Sequence, residues 1–396
     1  MNKDFSENHF ERSSDKSSDS GIYYAKLADK YRNAKISVYI LLAIFAVLMI
    51  VFGHGAMRGV HFRYLVKYLE INPTTLDSRY SDISYAVGGG SKFALYHDDL
   101  AVLGEGRMAL YDLSGDLAFR SDIKKGTISV DSDGKYLAAY VSGEKNLTLF
   151  HSFDEAQSFS FSSPISFVVV SQEGTSAICL KENGGNAIQI IDNAFETKQT
   201  IPQNGGVVID MAISHDGKTL SVVTLYGSDG SFYTKLELWN LKKKELIKSE
   251  SFSVRKPIAT GFFSNDRFYL ILDREVCFYS SSGEKLSVAS LSADTFRCDE
   301  EGDLLLILSA SGELSLYESA GDKRFSVFLA ESVLDAKLFQ NKMYLLSEDA
   351  IMLYDDKGNL LSHLNIASGV LDFFVLDDES VLLCYISETK RISFVA

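Results

Sequence analysis

A repeat of about forty residues, carried by short strand-like runs, sets the strongest limit on how this 396-residue chain folds. Each unit reads as a short strand, a polar turn, a second apolar strand, and a third strand closing on an aromatic or apolar residue. The closing residues are Tyr111, Phe150, Ile191, Trp239, Tyr279, Tyr317, Tyr354 and Phe394, spaced 39, 41, 48, 40, 38, 37 and 40 residues apart. That period in all-β sequence predicts four-stranded propeller blades. The one long interval coincides with a polar insert, YGSDGSFYTK at 226–235, which lengthens a hairpin. Eight phased residues predict about eight blades, with seven as the alternative count.

Turn chemistry recurs in phase with the strands. DSDGK at 131–135, SHDGK at 214–218 and DEEGD at 299–303 fall between first and second strands. DLSGD at 112–116, SSSGE at 280–284, ESAGD at 318–322 and DDKGN at 355–359 fall between third and fourth. Glycine reaches positive φ cheaply there, and the Asp or Ser caps the turn backbone. The last unit has room for only three strands before residue 396, so residues 82–88, ahead of the first complete blade, are expected to supply the fourth. Such closure removes an open sheet edge.

SHDGKTLSVV at 214–223 and LELWNLKKKELIKS at 236–249 resemble the first hairpin and the repeat end of WD40-like and quinoprotein-like propellers. The resemblance covers about 300 residues and implies a fold, not an activity. A short tail, one apolar span and a propeller with LYD-x-x-G turns also resemble a domain of unknown function: membrane-anchored propellers of anaerobic Gram-positive bacteria. That implies location and fold only.

The apolar run is ISVYILLAIFAVLMIVFG at 36–53, free of charge and bracketed by Lys35 and His54. Eighteen residues at a helical rise of ~1.5 Å span ~27 Å, enough for a hydrocarbon core. We expect an uncleaved signal anchor, since about 35 residues precede the run and no clean A-x-A site follows. The expected division is a disordered polar cytoplasmic tail over 1–35, a transmembrane helix over 36–53, an amphipathic stem and linker over 54–81, and the propeller over 82–396. Four cations (Lys26, Lys30, Arg32, Lys35) precede the span and three (Arg58, Arg63, Lys67) follow. The bias and the short tail favour an extracytoplasmic propeller. In the stem, Phe62, Leu65, Val66 and Leu69 recur at helical spacing.

Net charge is −14; residues 1–35 contribute +1 and residues 54–70 contribute +2, leaving −17 on residues 71–396. So acidic a domain repels phosphate backbones, and no nucleic-acid partner is expected. Cys179, Cys277, Cys298 and Cys384 lie far apart in different repeats, which predicts buried lone thiols rather than disulfides or a metal site.

Catalytic signatures are sparse. Quinone-dependent propellers use repeated Trp/Gly motifs, whereas this chain has one Trp, so no cofactor is expected. The seven histidines form no H-x-H or H-E-x-x-H pattern, and no metal is expected. His97-Asp98-Asp99 reads as a turn, and Asp372, Asp377, Asp378 and Glu379 as acidic loops lacking a D-x-D-x-D-G pattern. We therefore expect a non-enzymatic protein-binding or scaffolding module at the cell envelope, with membrane lipid around 36–53 and an envelope or membrane protein as partner. The expected contact residues are Tyr226, Asp229, Phe232 and Tyr233 in the long insert. The alternative is a hydrolase or lyase using Asp210, Asp335 and Asp372, which share one phase at the start of first strands (VIDMA, VLDAK, VLDFF).

Overall fold

The structure, a computed structural model, describes residues 35–45, 82–85 and 91–394 apart from 97–98, 113, 134, 152–153 and 229. The chain divides into two compact units, residues 1–71 and 72–396. In the first, residues 35–45 are helical and their side chains exposed. Among the described residues no helix is long and apolar enough to cross a membrane. The rest of the expected span (46–53), the tail before residue 35 and the stem over 54–81 lie outside the described residues.

The second unit is an eight-bladed propeller. In the first blade β1 (Lys92–Tyr96), β2 (Asp99–Gly104), β3 (Arg107–Tyr111) and β4 (Leu117–Asp122) pair antiparallel in sequence order. The later blades repeat this order, and numbering continues along the chain. Their first strands are β5 (Ile128–Asp133), β9 (Ile165–Val170), β13 (Gly206–Ile213), β17 (Pro257–Phe262), β21 (Thr295–Glu301), β25 (Val333–Phe339) and β29 (Asp372–Asp377). First strands pack against first strands of neighbouring blades, which places them innermost, around the axis.

Burial follows strand position. Second strands such as FYLIL at 268–272 and LLLIL at 304–308 are apolar and wholly buried because each blade is stacked on both faces. Fourth strands alternate instead, as in β4, because the outer rim meets water. The core is therefore a set of seams. Leu304, Leu306 and Leu316 of the sixth blade pack on Ala336, Leu338 and Leu345 of the seventh.

Each phased residue from Tyr111 to Tyr354 sits where the pairing of third and fourth strands shifts register. A bulge there bends the strand into the capped turn that follows. Asp112 Oδ1 accepts the N–H groups of Ser114 and Asp116 at 3.1 and 2.9 Å, and Asp355 Oδ1 accepts those of Lys357 and Asn359 at 3.0 and 2.7 Å. The third blade uses the same turn with Phe195 (φ 62°) in the glycine position.

The ring closes with both ends of the domain, as expected. The last blade has three strands of its own: β29, Ser380–Cys384 and Thr389–Ser393. Residues 82–85 supply the fourth through an antiparallel bridge from Ser84 to Glu388. Ile83 and Thr389 exchange two bonds: Ile83 N–H to Thr389 Oγ1 at 3.0 Å, and Thr389 N–H to the Ile83 carbonyl at 2.8 Å. Residues 86–88 of the expected closing segment lie outside the described residues.

Candidate functional site

Antiparallel order puts three things on one face of the ring: the starts of first strands, the connections from fourth strands, and the hairpins between second and third strands. Both sets of candidate residues fall on that face.

The long insert forms the extended hairpin of β14 (Thr219–Ser228) and β15 (Ser231–Asn240), which pair along their full length. Tyr226 and Tyr233 are directly opposed and stack at 5.0 Å with planes 7° apart. Phe232 and Tyr233 remain half-exposed, and the Phe232 carbonyl accepts the N–H of exposed Val254 at 3.1 Å. Asp229, at the tip, lies outside the described residues.

A buried polar network anchors the hairpin. Gln203 Oε1 accepts the Tyr226 hydroxyl at 3.3 Å, and its amide donates to Glu237 Oε2 at 2.6 Å. Lys235 pairs with the other oxygen of Glu237, and Trp239 Nε1–H reaches Oε2 at 3.4 Å. A buried carboxylate is tolerated because each oxygen has a donor. Lys235 in turn has its ammonium pKa raised by the bond to Glu237. The arrangement fixes an aromatic pair at the rim of the fourth blade.

Of the three acids of shared phase, Asp335 and Asp372 lie in neighbouring blades, and burial together with the charge of Asp335 raises the pKa of Asp372. Asp210, Asp335 and Asp372 sit on the first strands of the fourth, seventh and eighth blades, so Asp210 faces the other two across the axis. Each carboxylate accepts the N–H of the following residue: Met211 at 2.9 Å, Ala336 at 2.9 Å and Phe373 at 2.8 Å. In β13 and β25 the acid directly follows a bulge. Arg297 Nε stands 3.6 Å from Asp335, and Lys337 Nζ stands 3.9 Å from Asp372. Asp210 also accepts the Thr260 N–H from the next blade at 2.8 Å. Burial raises Asp210 to about 6 and pushes Asp372 above its usual range.

Two further acids lie on innermost strands. Asp131 accepts the Val170 N–H at 2.7 Å and Asp299 the Leu338 N–H at 2.6 Å, each across a blade seam. Burial raises both to about 7. They open the DSDGK and DEEGD motifs, three residues before the glycine, and that shared offset is the signal in the sequence. A channel cavity of about 630 Å³ is lined by Phe93, Asp131, Ser132, Lys337, Asp372 and Phe374. Among the described residues no group of three His, Cys, Asp or Glu gathers as metal ligands. Asp377 instead caps its own turn, accepting from Glu379 N–H and the Ser380 hydroxyl at 2.9 and 2.7 Å. The four cysteines are free; Cys179, Cys277 and Cys384 are buried and Cys298 half-buried.

A model described as a family of unknown function (DUF5711) matches residues 77–394. No curated protein matches the sequence. Among solved structures, BamB from Moraxella catarrhalis superposes with a TM-score of 0.56 at 12% identity, over 80% of this chain and 99% of that one. Saccharomyces cerevisiae Sqt1 gives 0.57 at 14% identity, over 80% and 99%. The computationally designed Ika8 protein gives 0.56 at 14% identity, over 78% and 98%. At these identities the likeness is one of fold.

Proposed function

The chain belongs to the DUF5711 family, and we propose that it is a membrane-tethered propeller that binds a protein partner at the cell envelope rather than transforming a substrate. The observation that carries this reading is the extended hairpin of the fourth blade. It presents a rigid stacked aromatic pair, Tyr226 and Tyr233, beside half-exposed Phe232 and exposed Val254. Aromatic side chains held in place lose little entropy on binding and are over-represented where partners are gripped. The propeller fold gathers loops at the two faces of the ring, which suits a protein partner.

The tether is the uncharged run at 36–53, with the tail cytoplasmic and the propeller extracytoplasmic. A hydrolase or lyase acting through Asp210, Asp335 and Asp372 has less in its favour, because each carboxylate is already engaged by backbone N–H groups or cations. The test is in-cell crosslinking of the affinity-tagged full-length protein, with mass spectrometry of what co-purifies. Repeated capture of the same envelope or membrane proteins is expected. Recovery of the protein alone contradicts the reading.

A further inference from the structure

The first strands bulge at the same register in consecutive blades, and what each bulge extrudes is apolar. The pairing slips between Val208 and Asp210, Pro257 and Ala259, Thr295 and Arg297, and Val333 and Asp335. The extra residues are Ile209, Ile258, Phe296 and Leu334. In the last blade Leu371 takes the same place, its N–H sharing Cys384 with Asp372. A bulge leaves one residue unpaired and re-aims its side chain. Accordingly Ile209, Phe296, Leu334 and Leu371 are 37%, 42%, 43% and 53% exposed, although the residue before each bulge in β13 and β25, Val208 and Val333, is buried. In the third blade the bulged residue is Ser166, so the apolar series runs from the fourth blade to the eighth.

Single exposed apolar residues need no explanation, but a contiguous set does. Ile209, Phe296, Leu334 and Leu371 form a crescent around one mouth of the channel, on the face that carries the Tyr226–Tyr233 hairpin, while Ile258 packs against the core of the fifth and sixth blades. Behind them lies negative charge. The eight innermost strands hold nine Asp or Glu against three Lys or Arg. Two of those cations, Arg297 and Lys337, are paired with Asp335 and Asp372. Among the described residues no Lys or Arg forms an ion pair with Asp131, Asp210, Asp299 or Glu300.

We infer that the crescent of Ile209, Phe296, Leu334 and Leu371 docks a peptide segment whose apolar side chains cover it while adjacent Lys or Arg side chains reach the acidic channel mouth. This rests on the protein-binding reading and names the chemistry of the partner. An anionic lipid surface fits less well, because the acids behind the crescent repel it.

The test is a titration of the full-length chain, in phosphatidylcholine nanodiscs, with a fluorescein-labelled peptide of about twelve alternating Leu and Lys residues. Counterparts carry Glu for Lys, or Ser for Leu. The Leu/Lys peptide is expected to bind at least about tenfold more tightly than either counterpart. Leu334→Ser combined with Leu371→Ser, and separately Phe296→Ser, should each weaken it, while Leu360→Ser on the outer rim should not. Equal binding of the three peptides, or binding indifferent to the crescent variants, overturns the inference. So does a bimane label at Leu334→Cys, in a Cys298→Ser background, that is already blue-shifted in the nanodisc before peptide is added, since lipid then covers the crescent. Capture of partners in cells without peptide binding removes the inference and leaves the binding reading standing.

Discussion

The carboxylate of Asp131 accepts the backbone N–H of Val170 at 2.7 Å, tying the innermost strand of the second blade to that of the third. Asp210 with Thr260 and Asp299 with Leu338 repeat the tie two and four blades further on. The acids are the price of these latches, since burial raises Asp131 and Asp299 to about 7 and Asp210 to about 6. A carboxyl whose folded value lies above its unfolded value, about 3.9, holds its proton more tightly when folded. That contribution is fully present below about pH 4 and is lost as pH rises through about 7. Asp131→Asn keeps an acceptor for Val170 without the charge. It should stabilise the protein at pH 8 by about 1–2 kcal/mol and change little at pH 4. Chemical denaturation at the two pH values checks this, and equal effects at both would remove the account.

Ring closure rests on few bonds. Thr389→Val leaves the Ile83 N–H without its Oγ1 acceptor in a fully buried site and should cost about 1–3 kcal/mol. Tyr85→Phe removes a hydroxyl that reaches the carbonyls of Tyr385 and Glu388, and should cost about 1 kcal/mol. Faster amide exchange at Ile83 and Tyr85, with a lowered denaturation midpoint, is the readout. Unchanged exchange would mean that the ends do not close the ring.

Two glycines at positive φ separate backbone strain from crowding. At Gly143 (φ 83°) an added Cβ meets nothing within 4 Å, so Gly143→Ala should cost about 1 kcal/mol. At Gly321 (φ 95°) the same Cβ would fall 1.8 Å from Ser287 Oγ, whose hydroxyl donates to the Ala320 carbonyl at 2.6 Å. Gly321→Ala should cost at least about 2 kcal/mol. Thermal unfolding of both variants orders them, and a Gly143 variant as damaged as the Gly321 one would contradict the close approach.

Glu237 fixes the pose of the hairpin. Replacing it with Ala leaves Lys235 and Gln203 without their acceptor and should destabilise by about 2–4 kcal/mol. Glu237→Gln should cost less, because it still accepts from Gln203. Gln203→Ala should loosen Tyr226 with a smaller loss of stability, read as faster exchange across 224–235. Identical stability of the Ala and Gln variants of Glu237 would show that the acceptor kept for Gln203 contributes nothing.

The propeller was legible because its signals are local. Tyr111, Tyr279 and Tyr354 each mark a bulge and a capped turn within a few residues, and repetition supplies the rest. The third-blade turn was missed, since Phe195 occupies the position that glycine marks elsewhere. In sequence Asp131 and Asp299 look like turn caps. They lie within their strands and reach the next blade about forty residues on, a relation visible only once the ring is closed. The shared phase of Asp210, Asp335 and Asp372 was legible, but the placement of Asp210 across the ring from the other two was not. Nor was the crescent, because an apolar residue extruded by a bulge looks in sequence like one more core position.

The most direct measurement is site-specific photo-crosslinking in cells. A photoreactive residue is placed at Phe232 on the hairpin, or at Lys242 in the exposed turn on the opposite face. The account predicts a discrete protein adduct from Phe232 and none from Lys242. Adducts from Lys242 alone, or none from Phe232, would contradict it.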